Sequence, residues 1–532
     1  MSIIAGFHSG HDCSFCILKD GIPIIHAELE RYIRLKEPID DSLKFLFSEY
    51  KDFNKIQHFT TGVDIWHGGP KQRYPDTWNR MLDITSKNDG KYHEFGHHLS
   101  HAANAFYSSN FDESLIITID GGGEEPTDER LVMCNFAVYF GEGNKIYRID
   151  AFDNHGSGDR KVINIGSFWS SCTEKIFKLS AGYPYGHQAG TIMGMACLGE
   201  PKYYNEFLNY LQTGLEFDYD KYNKIASSSE QDTFNVAASL QLATEIQFKN
   251  LITPFIEKYD YKNICISGGV SLNCVMAGKI YDWFDDIESI YADPVPYDAG
   301  LTLGSARYLW HHVMDNPRIQ WTDNATPYLG VTYKESKVES ALKIYEDKIK
   351  IQRNISNEYV VDKLIDKHII SVFGGGSESG RRALGNRSIL ADPRHTETKD
   401  IVNERVKHRQ WFRPFAPSIL REEVKNWFVR DIDSPYMSFA IPFKPEKINL
   451  VPAVVHHDGT ARLQTVTRND NEWYYNLITL FKQKTGVPIL LNTSFNDREP
   501  IVETPEDAIK CFLGTDIDFL YFRDYNIIIS RK

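Results

Sequence analysis

The sequence predicts an α/β protein, and predicts it twice over, from three observations. Short apolar runs bounded by glycine, aspartate and asparagine alternate with helical patterns, the signature of strands covered by helices. A plan of apolar run, polar turn, apolar run, tight turn and apolar run opens the chain and returns from Leu115. Past Asp315 the periodicity weakens, and then a different α/β pattern resumes. At 532 residues the chain exceeds what one hydrophobic core supports, so more than one domain is expected.

The elements follow in order. Ile3 to Phe7 reads as a strand, Ser9-Gly10-His11-Asp12 as a polar turn and Ser14 to Leu18 as a second strand. Asp20-Gly21 is a hairpin signal, after which Ile22 to Ala27 resumes the sheet. The returning unit runs Leu115 to Ile119, the turn Gly121-Gly122-Gly123, Asn135 to Phe140, Gly141 to Asn144, and Lys145 to Asp150. Each unit carries an aspartate at its first turn, Asp12 and Asp120, which suggests two similar lobes facing a cleft. The strand Asn263 to Ile266 then ends in Ser267-Gly268-Gly269-Val270-Ser271-Leu272-Asn273. Glycines there let backbone N–H groups approach a nucleotide, and ligands of α/β folds sit beyond carboxyl strand ends. The expected organisation is a first domain over 1–325, a connector over 326–350 and a second domain over 351–532.

The most telling set of residues is scattered. His97 and His101 are i and i+4 on a predicted helix, so both rings leave one face, whereas His98 leaves another. Asp120 closes the strand that follows, and Asp298 lies in Pro294-Val295-Pro296-Tyr297-Asp298. Two imidazoles and two carboxylates suit iron or zinc better than calcium or magnesium.

The second domain concentrates cations beside glycines and amides. Arg381, Arg382, Arg387, Lys407, Arg409, Arg413 and Arg462 adjoin Gly, Asn and Ser rather than Glu. That neighbourhood favours bidentate recognition of an anion, phosphate first, over solvated surface pairs.

Bulk properties exclude several classes. A net charge of −13 argues against a broad non-specific nucleic-acid binder. No stretch approaches the roughly 20 apolar residues that span a bilayer, so no membrane association is expected. The opening residues Met1 to Gly6 lack the regions of a secretory signal, and the eight cysteines read as cytosolic thiols, so the expected location is cytoplasmic. Cys13 and Cys16 form a CxxC without a second pair, which spacing alone does not make a metal or redox site.

Read together, these phrases resemble the O-carbamoyltransferases of the antibiotic-tailoring and nodulation-factor type. The match runs through His11-Asp12, Glu28-Leu29-Glu30-Arg31, His97-His98-Leu99-Ser100-His101-Ala102, Asp120-Gly121-Gly122-Gly123-Glu124 and Met193-Gly194-Met195-Ala196. It continues through Gly268 to Asn273, Arg382-Ala383-Leu384-Gly385-Asn386-Arg387-Ser388, Arg413-Pro414-Phe415-Ala416-Pro417, Asp458-Gly459-Thr460-Ala461-Arg462 and Asn492-Thr493-Ser494-Phe495-Asn496. The resemblance implies an N-terminal actin-like ATPase domain, similar to Kae1 and built of two RNase H-like lobes, and a C-terminal α/β domain similar to YrdC. It implies that carbamoyl phosphate and ATP, the latter with Mg2+, form carbamoyl adenylate in the second domain. The carbamoyl group would then pass to an acceptor hydroxyl at the metal site of the first.

Carried over residue by residue, His97, His101, Asp120 and Asp298 are metal ligands, with iron favoured by the resemblance and zinc equally compatible with the donors. His11 and Asp12 supply a general base, while Lys407 and Arg462 act on carbamoyl phosphate. Gly122, Gly268, Gly269, Asn273, Arg382, Asn386, Arg387, Arg413, Asn492 and Ser494 contact nucleotide or carbamoyl phosphate. Departures fall at Gly376 and Ser377, at Arg381 within Ser379-Gly380-Arg381-Arg382, and at Thr191. Arg381 is a candidate stand-in for the family's missing arginine, a role that an Arg381→Ala variant with full carbamoyl-phosphate turnover would exclude.

The expected acceptor is a small molecule or natural-product sugar. The alternative is the hydroxymethyl group of a modified pyrimidine in nucleotide or DNA, approached through Arg31-Tyr32-Ile33-Arg34-Leu35-Lys36 and Lys71-Gln72-Arg73-Tyr74. A homodimer is a further expectation. Readings from other classes are a nucleotide-binding regulatory protein and a tRNA modifier of the threonylcarbamoyl type. The first leaves the second domain's polar residues without a purpose, and the acidic net charge counts against the second.

Overall fold

Two sheets of the same design and one of a different design organise the chain. The computed structural model describes residues 2–63, 69–126, 131–153, 164–179, 188–319 and 327–532. These form two compact units, Met1–Glu30 with Glu37–Thr326, and Arg31–Lys36 with Pro327–Lys532.

The first unit contains β1 (Ile3–His8), β2 (Ser14–Lys19), β3 (Ile22–Glu28), β4 (His58–Gly62) and β5 (Lys91–Phe95), in the order β3-β2-β1-β4-β5. It also contains β6 (Glu113–Pro126), β7 (Leu131–Glu142), β8 (Lys145–Asp153), β9 (Asn263–Ser267) and β10 (Ser289–Ala292), in the order β10-β9-β6-β7-β8. In each sheet three antiparallel strands are followed by two that join in parallel on the first strand's free edge. The repeat read from the turns is therefore a duplicated topology. Hairpin turns permit the antiparallel connections, and the parallel ones require helical crossovers. β1 is buried along its whole length, as expected for a central strand covered on both faces.

Two helices bring distant residues to one place. The helix His97–Ser108 packs Ala102, Ala105 and Phe106 against Ile116, Tyr139 and Cys265 of the second sheet. Each fully buried large side chain there stabilises the fold by about 1.5–3 kcal/mol. The helix Leu301–Tyr308 crosses it so closely that a Cβ on Gly304 would collide with the Ser100 carbonyl. Backbone-to-backbone approach at Gly304 draws Asp298, just before this helix, towards the face that carries His97 and His101.

The second unit holds β11 (Ile349–Gln352), β12 (Ile370–Phe373), β13 (Arg387–Ala391), β14 (Ala416–Leu420), β15 (Phe439–Pro442), β16 (Thr460–Val466), β17 (Ile489–Ser494), β18 (Phe519–Phe522) and β19 (Ile527–Arg531). They form one mixed sheet in the order β11-β19-β18-β12-β13-β17-β14-β16-β15. The stretch 326–350, expected as a connector, is instead largely structured from Pro327 onward. Glu335–Ile344 is a helix, and β11 pairs with β19 as an edge strand. Only Val338, Ala341 and Leu342 of that helix are buried, which is why its periodicity is faint. Asp323 to Thr326 lie outside the described residues.

The short segment Arg31–Lys36 belongs to the second unit. Arg31 donates to the Glu378 and Gly380 carbonyls, and Arg34 to those of Pro500 at 2.6 Å and Ile501 at 2.8 Å. These guanidiniums, read as phosphate contacts for a DNA acceptor, are spent inside the protein. Among the described residues no helix is long and apolar enough to cross a membrane.

Candidate metal centre and anion site

The metal-binding expectation rests on whether four residues distant in sequence converge. They do. One ligand atom each from His97, His101, Asp120 and Asp298 lies within 4.8 Å of the others. His101 Nε2 is 2.9 Å and His97 Nε2 3.3 Å from Asp120 Oδ2, and the two imidazole nitrogens are 3.2 Å apart. Asp298 Oδ1 faces the same nitrogens at 3.5 and 3.7 Å.

Local structure explains the convergence. The β6–β7 ladder breaks between Ile119 and Gly123, so Asp120 and Gly121 leave the pairing at the strand's centre. Gly122 turns there with φ +135°, and a Cβ on Gly123 would strike the His97 ring. Glu125 then reaches the start of the histidine helix and accepts from the His98 and Leu99 amides at 2.9 and 3.2 Å. Gly96, the residue before the helix, offers no side-chain cap, and Glu125 supplies one from the neighbouring strand. Tyr139 donates to the other Glu125 oxygen at 2.8 Å.

A second carboxylate face continues the centre. Asp298 Oδ2 lies 3.3 Å from His11 Nε2, and His11 Nδ1 lies 3.0 Å from Asp12 Oδ2. Asp12 holds φ +61°, which lets the turn fold back onto the ring. His8, at the end of β1, sits 3.1 Å from the His11 carbonyl and 3.8 Å from Asp298 Oδ2.

The electrostatics are those of a site that attracts positive charge. Burial would lower the His11 pKa, but Asp298 and Asp12 outweigh it and raise the ring to about 10. His101 is raised to about 9 in the same way, against burial, by Asp120 and Asp298. Burial opposes ionisation of both carboxylates, yet the imidazoles hold Asp120 and Asp298 below the usual carboxylate range. The donor set and its convergence fit a divalent cation of the iron or zinc kind.

The second unit has a site of opposite sign. Lys407 is buried, and its Nζ is 2.9 Å from the Ser494 carbonyl, 3.3 Å from Ser494 Oγ and 2.8 Å from the Asn496 carbonyl. Burial, then Arg409, pushes its pKa well below the ordinary lysine value. Arg409 is lowered by burial and by its like-charged neighbours Arg413 and Arg462, and Arg413 falls to about 10 through burial and Arg462. Mutual repulsion among cations is relieved when an anion joins them.

Comparison with known proteins gives this pair of sites a family. Residues 50–307 match the model of the carbamoyltransferase N-terminus and residues 361–529 that of the carbamoyltransferase C-terminus. The chain belongs to the carbamoyltransferase family. Nodulation protein NolNO of Sinorhizobium fredii is 35% identical, with 97% of this chain and 79% of that protein covered. Nodulation protein NolO of Bradyrhizobium diazoefficiens is 35% identical over 80% of this chain and 77% of its own. Among solved structures, HypF of T. kodakarensis aligns with 59% of this chain and 48% of its own, at 15% identity and a TM-score of 0.35.

Within this carbamoyltransferase the remaining sequence candidates fall into distinct places. A Cβ on Gly268 (φ +92°) would collide with the Ile119 carbonyl, and one on Gly269 would sit 3.0 Å from Asp120 Oδ1, so the glycine turn abuts the candidate metal centre. Asn273 caps the helix Cys274–Trp283 through Met276 N at 3.1 Å and exchanges hydrogen bonds with Gln241, so its amide is engaged. Arg387 is buried over the Phe373 ring and donates to the Gly374 carbonyl at 2.8 Å, and Asn386 bonds Gly376, Asn471 and Arg523. Both shape the glycine-rich turn from within. Asn492 donates to Ala383 and Gln464, while Ser494 meets Lys407. Arg381 and Arg382 are half-buried on the same loop, and Thr191, also a departure, bonds Gln188.

Sequence reasoning missed His8 and Glu125. His8 carried a signal, standing three residues before His11 at a strand end; Glu125 carried none, because capping across a sheet leaves no local pattern. His98 bonds Thr118 Oγ1 at 2.8 Å and the Cys134 carbonyl at 3.0 Å, away from the cluster. Cys13 and Cys16 are buried thiols donating to backbone carbonyls, and burial raises both to about 12.

Proposed function

We propose that the chain is an ATP-dependent O-carbamoyltransferase whose second unit makes carbamoyl adenylate and whose first unit delivers the carbamoyl group to an alcohol. Carbamoyl phosphate is first hydrolysed to carbamate and phosphate. A carbamate oxygen then attacks the α-phosphorus of ATP and pyrophosphate leaves. Arg413 and Arg462 hold the phosphate charges during these steps, and Lys407, bonded to Ser494 and Asn496, adds positive field from beneath.

In the first unit His97, His101, Asp120 and Asp298 would hold a divalent cation, iron or zinc. That cation would polarise the carbamoyl carbonyl as a Lewis acid and, by drawing on the charge of Asp298, leave His11 neutral. The acceptor oxygen attacks the carbamoyl carbon, the bond to the AMP oxygen breaks, and His11 takes the hydroxyl proton while Asp12 steadies the resulting imidazolium. Gly268 and Gly269 offer backbone N–H groups to the AMP phosphate.

The observation that carries this reading is the division of labour at Asp298. One of its oxygens faces the histidine pair and the other faces His11. The test is mass spectrometry of an alcohol incubated with the protein, carbamoyl phosphate, ATP and Fe2+. A gain of about 43 Da with stoichiometric AMP is expected from nucleophilic acyl transfer. Carbamoylation without ATP consumption would overturn the adenylate route.

A further inference from the structure

Two carboxamides in the second unit's sheet lock each other in one orientation, and the lock leaves a single acceptor without a donor. Gln464 on β16 and Asn492 on β17 are 2% and 1% exposed. β14 runs between their strands, and Ala416, the residue opposite Asn492, is small enough for Gln464 to reach across. Gln464 Nε2 donates to the Leu384 carbonyl at 3.1 Å, so Oε1 is the atom turned to Asn492. That oxygen accepts from Ser418 Oγ and, at 2.9 Å, from Asn492 Nδ2. The other hydrogen of Asn492 Nδ2 goes to the Ala383 carbonyl at 2.9 Å. Turning the Asn492 amide over would set oxygen against oxygen at both contacts. Asn492 Oδ1 therefore stays an acceptor, and among the described residues no donor meets it.

A buried acceptor is costly to leave unmet, so the position calls for a ligand that donates a hydrogen bond. Its place in the sheet narrows the choice. Side chains two apart on a strand leave the same face, about 7 Å from each other. Ser494, which Lys407 approaches at 3.3 Å, is in this sense the neighbour of Asn492, and Arg462 that of Gln464. A ligand with its donor at Asn492 and its anion near Ser494 is a short one. Carbamoyl phosphate carries its amino group on the carbonyl that bears the phosphate. In ATP a whole sugar separates the base amino group from the phosphates.

We propose that Asn492 Oδ1 accepts a hydrogen bond from the amino group of the carbamoyl moiety, and that Gln464 is the positioning residue that fixes the amide for it. The pair makes the second unit selective for carbamoyl over an acyl group of the same shape, such as acetyl, whose methyl cannot donate. This rests on the reading of the second unit as the carbamoyl-phosphate site. Neither residue takes part in bond making.

The test compares carbamoyl phosphate with acetyl phosphate on the full-length protein by the rate of phosphate release. Wild type should favour carbamoyl phosphate on the order of 10²-fold or more in kcat/KM, since a site built around an N–H rejects the analogue that lacks it. Asn492→Leu and Gln464→Met should each shrink that ratio about tenfold or more, whereas loss of a purely structural residue lowers both rates in proportion. Wild type using acetyl phosphate within about threefold of carbamoyl phosphate overturns the proposal, whether or not the variants fold. An unchanged ratio in Asn492→Leu overturns it too, and an unchanged ratio in Gln464→Met removes Gln464 from it. Absence of carbamoyl-phosphate-dependent ATP–pyrophosphate exchange would instead defeat the adenylate reading, and the wild-type ratio would still decide the proposal. If neither compound releases phosphate, calorimetric titration of wild type with each decides it, equal affinity being the overturning result.

Discussion

The two units place buried ionisable groups in opposite electrostatic surroundings, so that burial opposes the shifts in one and drives them in the other. In the first, Asp120 and Asp298 pull His11 and His101 up, to about 10 and about 9. In the second, burial and neighbouring cations push Arg413 down to about 10, while burial and Arg462, against Asp458, push His456 down to about 4. One site gathers carboxylates and imidazoles, and the other gathers guanidiniums and a lysine. The contrast is one of pairing: the first site sets its carboxylates against imidazoles, which lowers the acids and raises the rings, whereas the second sets guanidiniums beside one another.

If that contrast is functional, each site should fail alone. The largest effect is expected from chelation or His101→Ala, which should lower carbamoyl transfer on the order of 10³-fold. Exchange of pyrophosphate into ATP should continue, and parallel loss of both activities would break the division. Next, Arg462→Ala should reduce exchange about 10²–10³-fold, the cost of losing a preorganised donor. Metal content by mass spectrometry should be unchanged.

Glu125→Gln should weaken binding of a divalent cation about 2–10-fold, by loosening the start of the helix that carries His97 and His101. Its carboxylate anchors the histidine helix through two amides and Tyr139. Competition with a chromogenic chelator measures this, and unaltered affinity would reduce Glu125 to a fold-stabilising role. The smallest effect concerns acid stability. His456 is depressed in the folded state, so its contribution is present above the unfolded value near 6.5 and lost as pH falls towards about 4. Melting temperature should therefore drop across that window, and His456→Gln should flatten the drop.

Much of the first unit was legible because its information is local. The helical spacing of His97 and His101, the aspartate at a glycine turn and the hairpin signals each sit within a few residues. Asp298 could be nominated but not placed, since its approach depends on Gly304 packing against Ser100. The second unit was legible as composition rather than geometry. Arg387 and Arg413 look alike in sequence, yet one is buried under the glycine turn and the other faces Arg462. The structured stretch after Pro327 was hidden because an edge strand and a thinly apolar helix leave weak periodicity.

The six residues Arg31–Lys36 carry a practical consequence. They lie early in the chain but are claimed by the unit that resumes at Pro327. A fragment starting there would lose the Arg31 donors from the Glu378 and Gly380 carbonyls and the Arg34 donors from Pro500 and Ile501. The complementary fragment would keep a basic strap with nothing to grip. Domain-by-domain biochemistry on this enzyme therefore calls for a graft of that strap onto the C-terminal piece, not a single cut.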